Sequence, residues 1–185
     1  MATTISSLES TVRDLIGDIS KSGIDEFVYG SSAIFTLTEP NIITVDSVSV
    51  NDVSSGVDYS YDEDTNKVTI SSSLSIGDIV EIQYTYYPDY SSTEVQSFIR
   101  AGLTHIATNR YKKFLVTSSS IYPTPTDQEK DLICMVASIL IRPDNKSYRL
   151  PDITINIPKD KPTRQIIQEV VAIFKKNCSG IFTIL

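Results

Sequence analysis

His105, Cys134, Cys178 and the acidic run Asp62, Glu63, Asp64 are the residues whose types could do chemistry. A hydrolase triad needs a nucleophile, a base and a residue that orients the base. His105 is the only histidine, and no serine or cysteine is spaced around it in that way, so it is read as a packed or surface histidine. Cys134 lies beside the apolar stripe of an expected helix, where a thiol acts as a small hydrophobe. Neither it nor Cys178, expected to be exposed near the C-terminus, has a sequence neighbour that would lower its pKa. The segment "DEDTNK" copies the first half of a calcium loop with Asp62, Asp64 and Asn66. It then places Lys67 where the loop needs its turn glycine and Ser73 where it needs a bidentate glutamate, which predicts a solvated hairpin turn instead. No phosphate-cradling glycine loop, HExxH or GxSxG occurs. The residues therefore predict no catalytic, cofactor or metal site, and a chain that is not an enzyme.

Charge is unevenly spread. Residues 1–90 carry fifteen Asp/Glu against three Lys/Arg, and residues 91–185 carry eight against thirteen. An acidic front and a basic back suit a protein that meets two partners, or copies of itself, through complementary faces. Clustered Lys/Arg are too few for sequence-specific DNA binding. The first nineteen residues lack a basic n-region and an export-length apolar run, and no later stretch reaches membrane-span length. This predicts a chain made and kept in a cytoplasm, with reduced cysteines.

The elements that must position these residues follow from periodicity. Leu8, Val12, Leu15, Ile16 and Ile19 trace one face of a helix over 5–20, ended at Gly23. From Phe27 to Tyr87 the pattern alternates. Ile43 and Val45 share one phase and Val48 and Val50 the other, predicting a bulge near Asp46 and Ser47. Val80, Ile82, Tyr84 and Tyr86 alternate with Glu81, Gln83 and Thr85, and the whole stretch reads as a meander of short antiparallel strands with one wet face. Pro88 stops the last strand. Ser91 and Glu94 have capping-box spacing and open a helix of about 22 residues whose stripe runs from Val95 to Tyr111. Thr126 and Glu129 repeat that spacing before a helix that ends at Pro143. "ITINIP" alternates as a strand, and Pro162 opens a last helix, which Gly180 closes ahead of the apolar tail "IFTIL". The expected fold is α+β: a helical bundle of about four helices, one long and central, with an antiparallel sheet or hairpin domain inserted after the first. Residues 1–22 and 88–185 would form the helical core, and 24–87 the insert.

This order, with "ISSLESTVRDLIGD", "GDIVEIQYTYYPDYSSTEV" and "VQSFIRAGLTHIATNRYKKF" as its landmarks, resembles the head-to-tail connector, or adaptor, proteins of tailed bacteriophages. The resemblance covers most of the chain. It implies a structural virion protein, made in the host bacterial cytoplasm and placed at the head-tail junction. There it would form a ring, typically dodecameric, beneath the portal protein, extend the channel through which double-stranded DNA passes without sequence-specific binding, and dock a downstream neck or tail protein. It also implies an extended arm at 142–160 and a tail at 179–185 that reach neighbours. The candidate interaction residues are Tyr87 and Tyr90 at the sheet exit, Arg142, Tyr148 and Arg149 in the arm, and Ile181 and Phe182 in the tail. The alternatives are a baseplate or fibre-attachment module whose tyrosine-lined sheet binds glycan or protein, and a small cytoplasmic enzyme.

Overall fold

The structure, a computed structural model, describes residues 3–144, 147–157, 161–176 and 180–184. In chain order the elements are α1 (Ser6–Ile16), β1 (Lys21–Val28), β2 (Ile34–Thr36), β3 (Ile42–Val50), β4 (Tyr59–Asp62), β5 (Lys67–Ile70), β6 (Ile79–Tyr86) and α2 (Ser92–Thr108). They continue with β7 (Leu115–Thr117), β8 (Ser120–Tyr122), α3 (Asp127–Ile141), β9 (Ser147–Arg149), β10 (Ile153–Asn156), α4 (Thr163–Lys175) and β11 (Gly180–Thr183). The chain divides into two compact units, one of residues 1–18 with 92–185 and the other of residues 19–91.

In the 19–91 unit, β6 lies between β1 and β3, and β5 lies between β2 and β4, with every pairing antiparallel. Phe35, Val68 and Ile70 from one sheet and Val48, Val80, Ile82 and Tyr84 from the other are buried in a single core. Each such side chain contributes roughly 1.5–3 kcal/mol by leaving water. The expected meander is overturned, because the last strand of the unit takes the centre of its sheet and closes against the first. The bulge is where alternation placed it: the register of β3 against β6 slips between Val45 and Ser47, skipping Asp46, and also between Ile42 and Thr44.

In the other unit α3 packs against α1, α2 and α4. Every residue from Leu132 to Ile139 is buried, as a helix apolar on all sides requires. The central helix is therefore α3 rather than the longer α2, which keeps Thr93, Ser97, Arg100 and Thr104 exposed. α2 also stops at Thr108, short of the expected Tyr111. The Thr108 hydroxyl and the Asn109 side-chain amide both donate to the His105 carbonyl, at 2.9 and 2.8 Å, and Arg110 turns left-handed at φ 56°. α1 ends at Ile16 on a left-handed Gly17, not at Gly23, which lies in β1. Ile19 is consequently outside the helix and exposed, and Arg13 takes a buried place on it.

The expected bundle with one inserted sheet or hairpin is thus corrected to a mixed α+β fold with strands in four small sheets. Two of these belong to the unit that holds the helices: the β7–β8 hairpin, and a three-stranded sheet in which β10 pairs antiparallel with β9 and parallel with β11. The strand expected at "ITINIP" forms as β10, and the short segments of the arm and tail pair their backbones with it as β9 and β11.

Candidate interaction site

The arm and the tail meet in the β9–β10–β11 sheet. Thr154 of β10 pairs with Arg149 on one side and Ile181 on the other, so these three residues form one row across the sheet. Arg149 is exposed and Ile181 is 78% exposed, which places a cation and an uncovered aliphatic side chain on the same outer face. The next row is Tyr148, Ile155 and Phe182, paired through their backbones. Tyr148 is buried, and its hydroxyl is directed at the Arg142 carbonyl with the Ser138 carbonyl at 3.2 Å. Its phenol serves the end of α3, where carbonyls lack helical partners. Arg142 is half-buried at that helix end.

Tyr87 and Tyr90 are half-buried at the end of the 19–91 unit, apart from this sheet in the chain. The Tyr87 amide donates to the Asn41 carbonyl at 3.1 Å, and the Asn41 side-chain amide donates back to the Tyr87 carbonyl at 3.3 Å. The tyrosines of β6 face the core: Tyr84 is buried and Tyr86 packs beside it, with ring centroids 5.9 Å apart. The opposite face of that sheet carries Ile24, Gln83 and Ser47 instead of tyrosine.

His105 lines a groove of about 590 Å³ between α2, α3 and α4, together with Asn109, Leu140, Arg164, Ile167 and Gln168. Cys134 is buried, and burial above all pushes its thiol up to about 12, so it stays protonated at neutral pH. Cys178 lies outside the described residues. In the β4–β5 turn the Asp62 carboxylate accepts from the Asp64 amide at 3.0 Å and the Thr65 hydroxyl at 2.7 Å, and the hydroxyl leads in holding it below the usual carboxylate range. Those bonds are within the turn, as a hairpin needs. No group of three or more His, Cys, Asp or Glu is placed to hold a metal ion among the described residues, and no described helix is long and apolar enough to cross a membrane.

In two charged clusters the sequence showed one partner and not the other: Arg13 is joined by Asp18, and Glu129 by Lys112. In the first, Arg13 is 2% exposed and pairs with the fully buried Asp18. It also donates to Glu9 Oε1 from Nε at 3.0 Å and Nη2 at 2.8 Å, while Gln96 donates to Glu9 Oε2 at 3.2 Å. The i,i+4 spacing of Glu9 and Arg13 was a legible signal; the return of Asp18 was not, since it depends on the Gly17 turn.

In the second, the expected capping box forms: Thr126 Oγ1 accepts from the Glu129 amide at 3.3 Å and the Glu129 carboxylate accepts from the Thr126 amide at 2.8 Å. Lys112 adds bonds of 2.7 and 2.9 Å to both carboxylate oxygens. Burial by itself would raise the Glu129 carboxyl, but Lys112 and Thr126 outweigh it and hold it low. A carboxyl depressed in the folded state stabilises above its unfolded pKa of about 4.3 and loses that contribution as pH falls through its folded value. Thr126→Ala is expected to cost about 1 kcal/mol. Glu129→Gln should cost about 1 kcal/mol or less at pH 7, because Lys112 is partly exposed. Urea midpoints should show that second deficit closing as the pH is lowered past 4; a deficit constant down to pH 3 would contradict the assignment.

Residues 19–91 hold twelve Asp/Glu against Lys21 and Lys67, and the remainder of the chain holds eleven against fourteen Lys/Arg, so the two units carry net charges of −10 and +3. No protein-family model matches the chain, and no curated protein matches it either.

Proposed function

We propose that this chain is a structural subunit of a tailed bacteriophage, a head-to-tail adaptor that forms a ring beneath the portal protein, extends the DNA channel and docks the next neck or tail protein. The observation that carries the reading is the separation of charge between two compact units, −10 on residues 19–91 and +3 on the rest. A ring subunit must present unlike edges to its two neighbours, and opposite charge supplies complementarity and register. An acidic surface turned towards DNA repels phosphate and lets the duplex slide past without being held. The exposed row of Arg149 and Ile181 adds a cation and an apolar side chain of the kind found where partners dock. The attachment-module alternative called for a tyrosine-lined sheet, and it gains no support from the β1–β6–β3 sheet, whose Tyr84 and Tyr86 pack inward; Tyr59 on β4 is the exposed tyrosine of the described strands in this unit.

Antibody to this chain, applied with gold label to intact particles, tailless heads and isolated tails of one lysate, tests the assignment. Label is expected at the head-tail junction and on a single vertex of tailless heads. Label at the distal tail tip, or on no particle, would sink it.

A further inference from the structure

We propose that the groove between α2, α3 and α4 seats the acidic β4–β5 turn of a second copy of this chain. Leu140 and Ile167 give the groove an apolar part, His105 and Arg164 line it, and no carboxylate does. Lys175, which does not line the groove, donates to the carbonyl of the lining Asn109 at 2.9 Å. Glu169, one residue past the lining Gln168, is already held by Lys161 at 2.7 and 2.9 Å. Arg164 forms no ion pair among the described residues and is exposed. A concavity of this size, with the Arg164 guanidinium at its lining, admits a turn of a few residues.

The occupant follows from charge and shape. Asp62, Glu63 and Asp64 are the one run of three acids in the chain, and all three are exposed at the tip of the β4–β5 hairpin. The tip is already ordered: Asp62 accepts from Asp64 and Thr65, and the Asn66 side-chain amide donates to the Leu37 and Glu39 carbonyls at 3.1 and 3.0 Å. A preformed turn loses little entropy on docking. Glu63 and Asp64 make no ion pair among the described residues, so their charge is available to Arg164. Made once between each pair of copies, a contact of turn with groove is heterologous and propagates head to tail, closing a ring when the rotation allows. This inference rests on the ring-forming subunit proposed above and names the contact that builds it.

Sedimentation of the full chain at about 0.01 M ionic strength, where screening sets in only over roughly 30 Å, tests it. The parent chain is expected to self-associate up to millimolar concentration. R164E, and separately the double change E63K with D64K, should each weaken association by about tenfold or more. Mixing the two variants should restore it, since one supplies an intact turn and the other an intact groove. Circular dichroism of each variant checks that the fold is kept. A parent chain that stays monomeric, variants that associate like the parent, or a mixture that fails to recover overturns the contact. If the gold label lies at the junction and association ignores these charges, only the contact fails; if they control association and the label is absent, only the adaptor assignment fails.

Discussion

Asp18→Ala is expected to lower the stability of the helix-containing unit by about 3–5 kcal/mol, because it leaves the buried Arg13 guanidinium without one of its carboxylates. The pair Arg13–Asp18 is almost wholly withdrawn from water, so neither charge regains hydration when its partner is removed. Glu9 still contacts Arg13 at 2.8 and 3.0 Å, which sets the loss nearer the lower end. Glu9 itself retains some solvent, at 13% side-chain exposure, and Glu9→Gln should cost less than Asp18→Ala. Arg13→Met together with Asp18→Ala should recover much of the loss, since a well-packed apolar replacement of a buried pair is often close to neutral. All four helices among the described residues lie in this unit, so helical circular dichroism during guanidinium unfolding reads the effect directly. In a thermal melt followed by the same signal, at roughly 2–4 °C per kcal/mol for a chain of this length, the midpoint temperature should fall by about 6–20 °C. A loss under about 1 kcal/mol for Asp18→Ala, or a double variant no better than the single, would show that the pair does not hold the end of α1.

The second large effect lies at Gly23. It faces Tyr84 across the β1–β6 ladder, and a Cβ added there would lie 2.4 Å from Tyr84 Cε2 and 2.7 Å from Cζ. Those distances are far inside contact, so one partner must move. The ring has nowhere to go: it is 1% exposed, sits in the core with Ile82 and Val80, and packs against Tyr86. Burial first, then the Asp25 carboxylate, pushes its phenol up to about 12, which fits a ring enclosed on all sides. Gly23→Ala is therefore expected to cost about 1–3 kcal/mol through overpacking, and Tyr84→Leu roughly as much by emptying part of the same space. Joined in one chain, the two changes should cost less than their sum, because the new methyl fills room that the ring vacates. Seven of the ten tyrosines belong to residues 19–91, so near-ultraviolet tyrosine dichroism follows this unit. Unchanged stability for Gly23→Ala, or strictly additive losses, would mean that the ring yields and the close approach is incidental.

Both effects involve residues that local patterns describe poorly. Gly23 reads as a helix stop beside Ile19 and as an edge glycine under an aromatic ring only once β1 is paired with β6. Arg13 reads as a polar residue beside an apolar stripe, and its burial depends on where Gly17 sends the chain. The candidate interaction residues show the same limit: Arg149 and Ile181, 32 positions apart, share a row because β10 takes a partner on each side.

What the sequence determined by itself is the set of features whose cause lies within a few residues. The Thr126–Glu129 box starts α3, Pro88 follows the end of β6, Val80, Ile82 and Tyr84 point to one side, and the skipped Asp46 marks the slip in β3. Capping, ring closure at proline and two-residue alternation act over one turn or one pleat, so short windows carry them. Only the tertiary structure decided that β6 lies between β1 and β3, that α3 and not α2 is the enclosed helix, that arm and tail close a sheet, and that Asp18 returns to Arg13. Periodicity states that a face must be buried and leaves open what buries it. That choice is made by packing and charge pairing between segments far apart in the chain, where the free energy of contact must exceed the entropy of closing the loop between them.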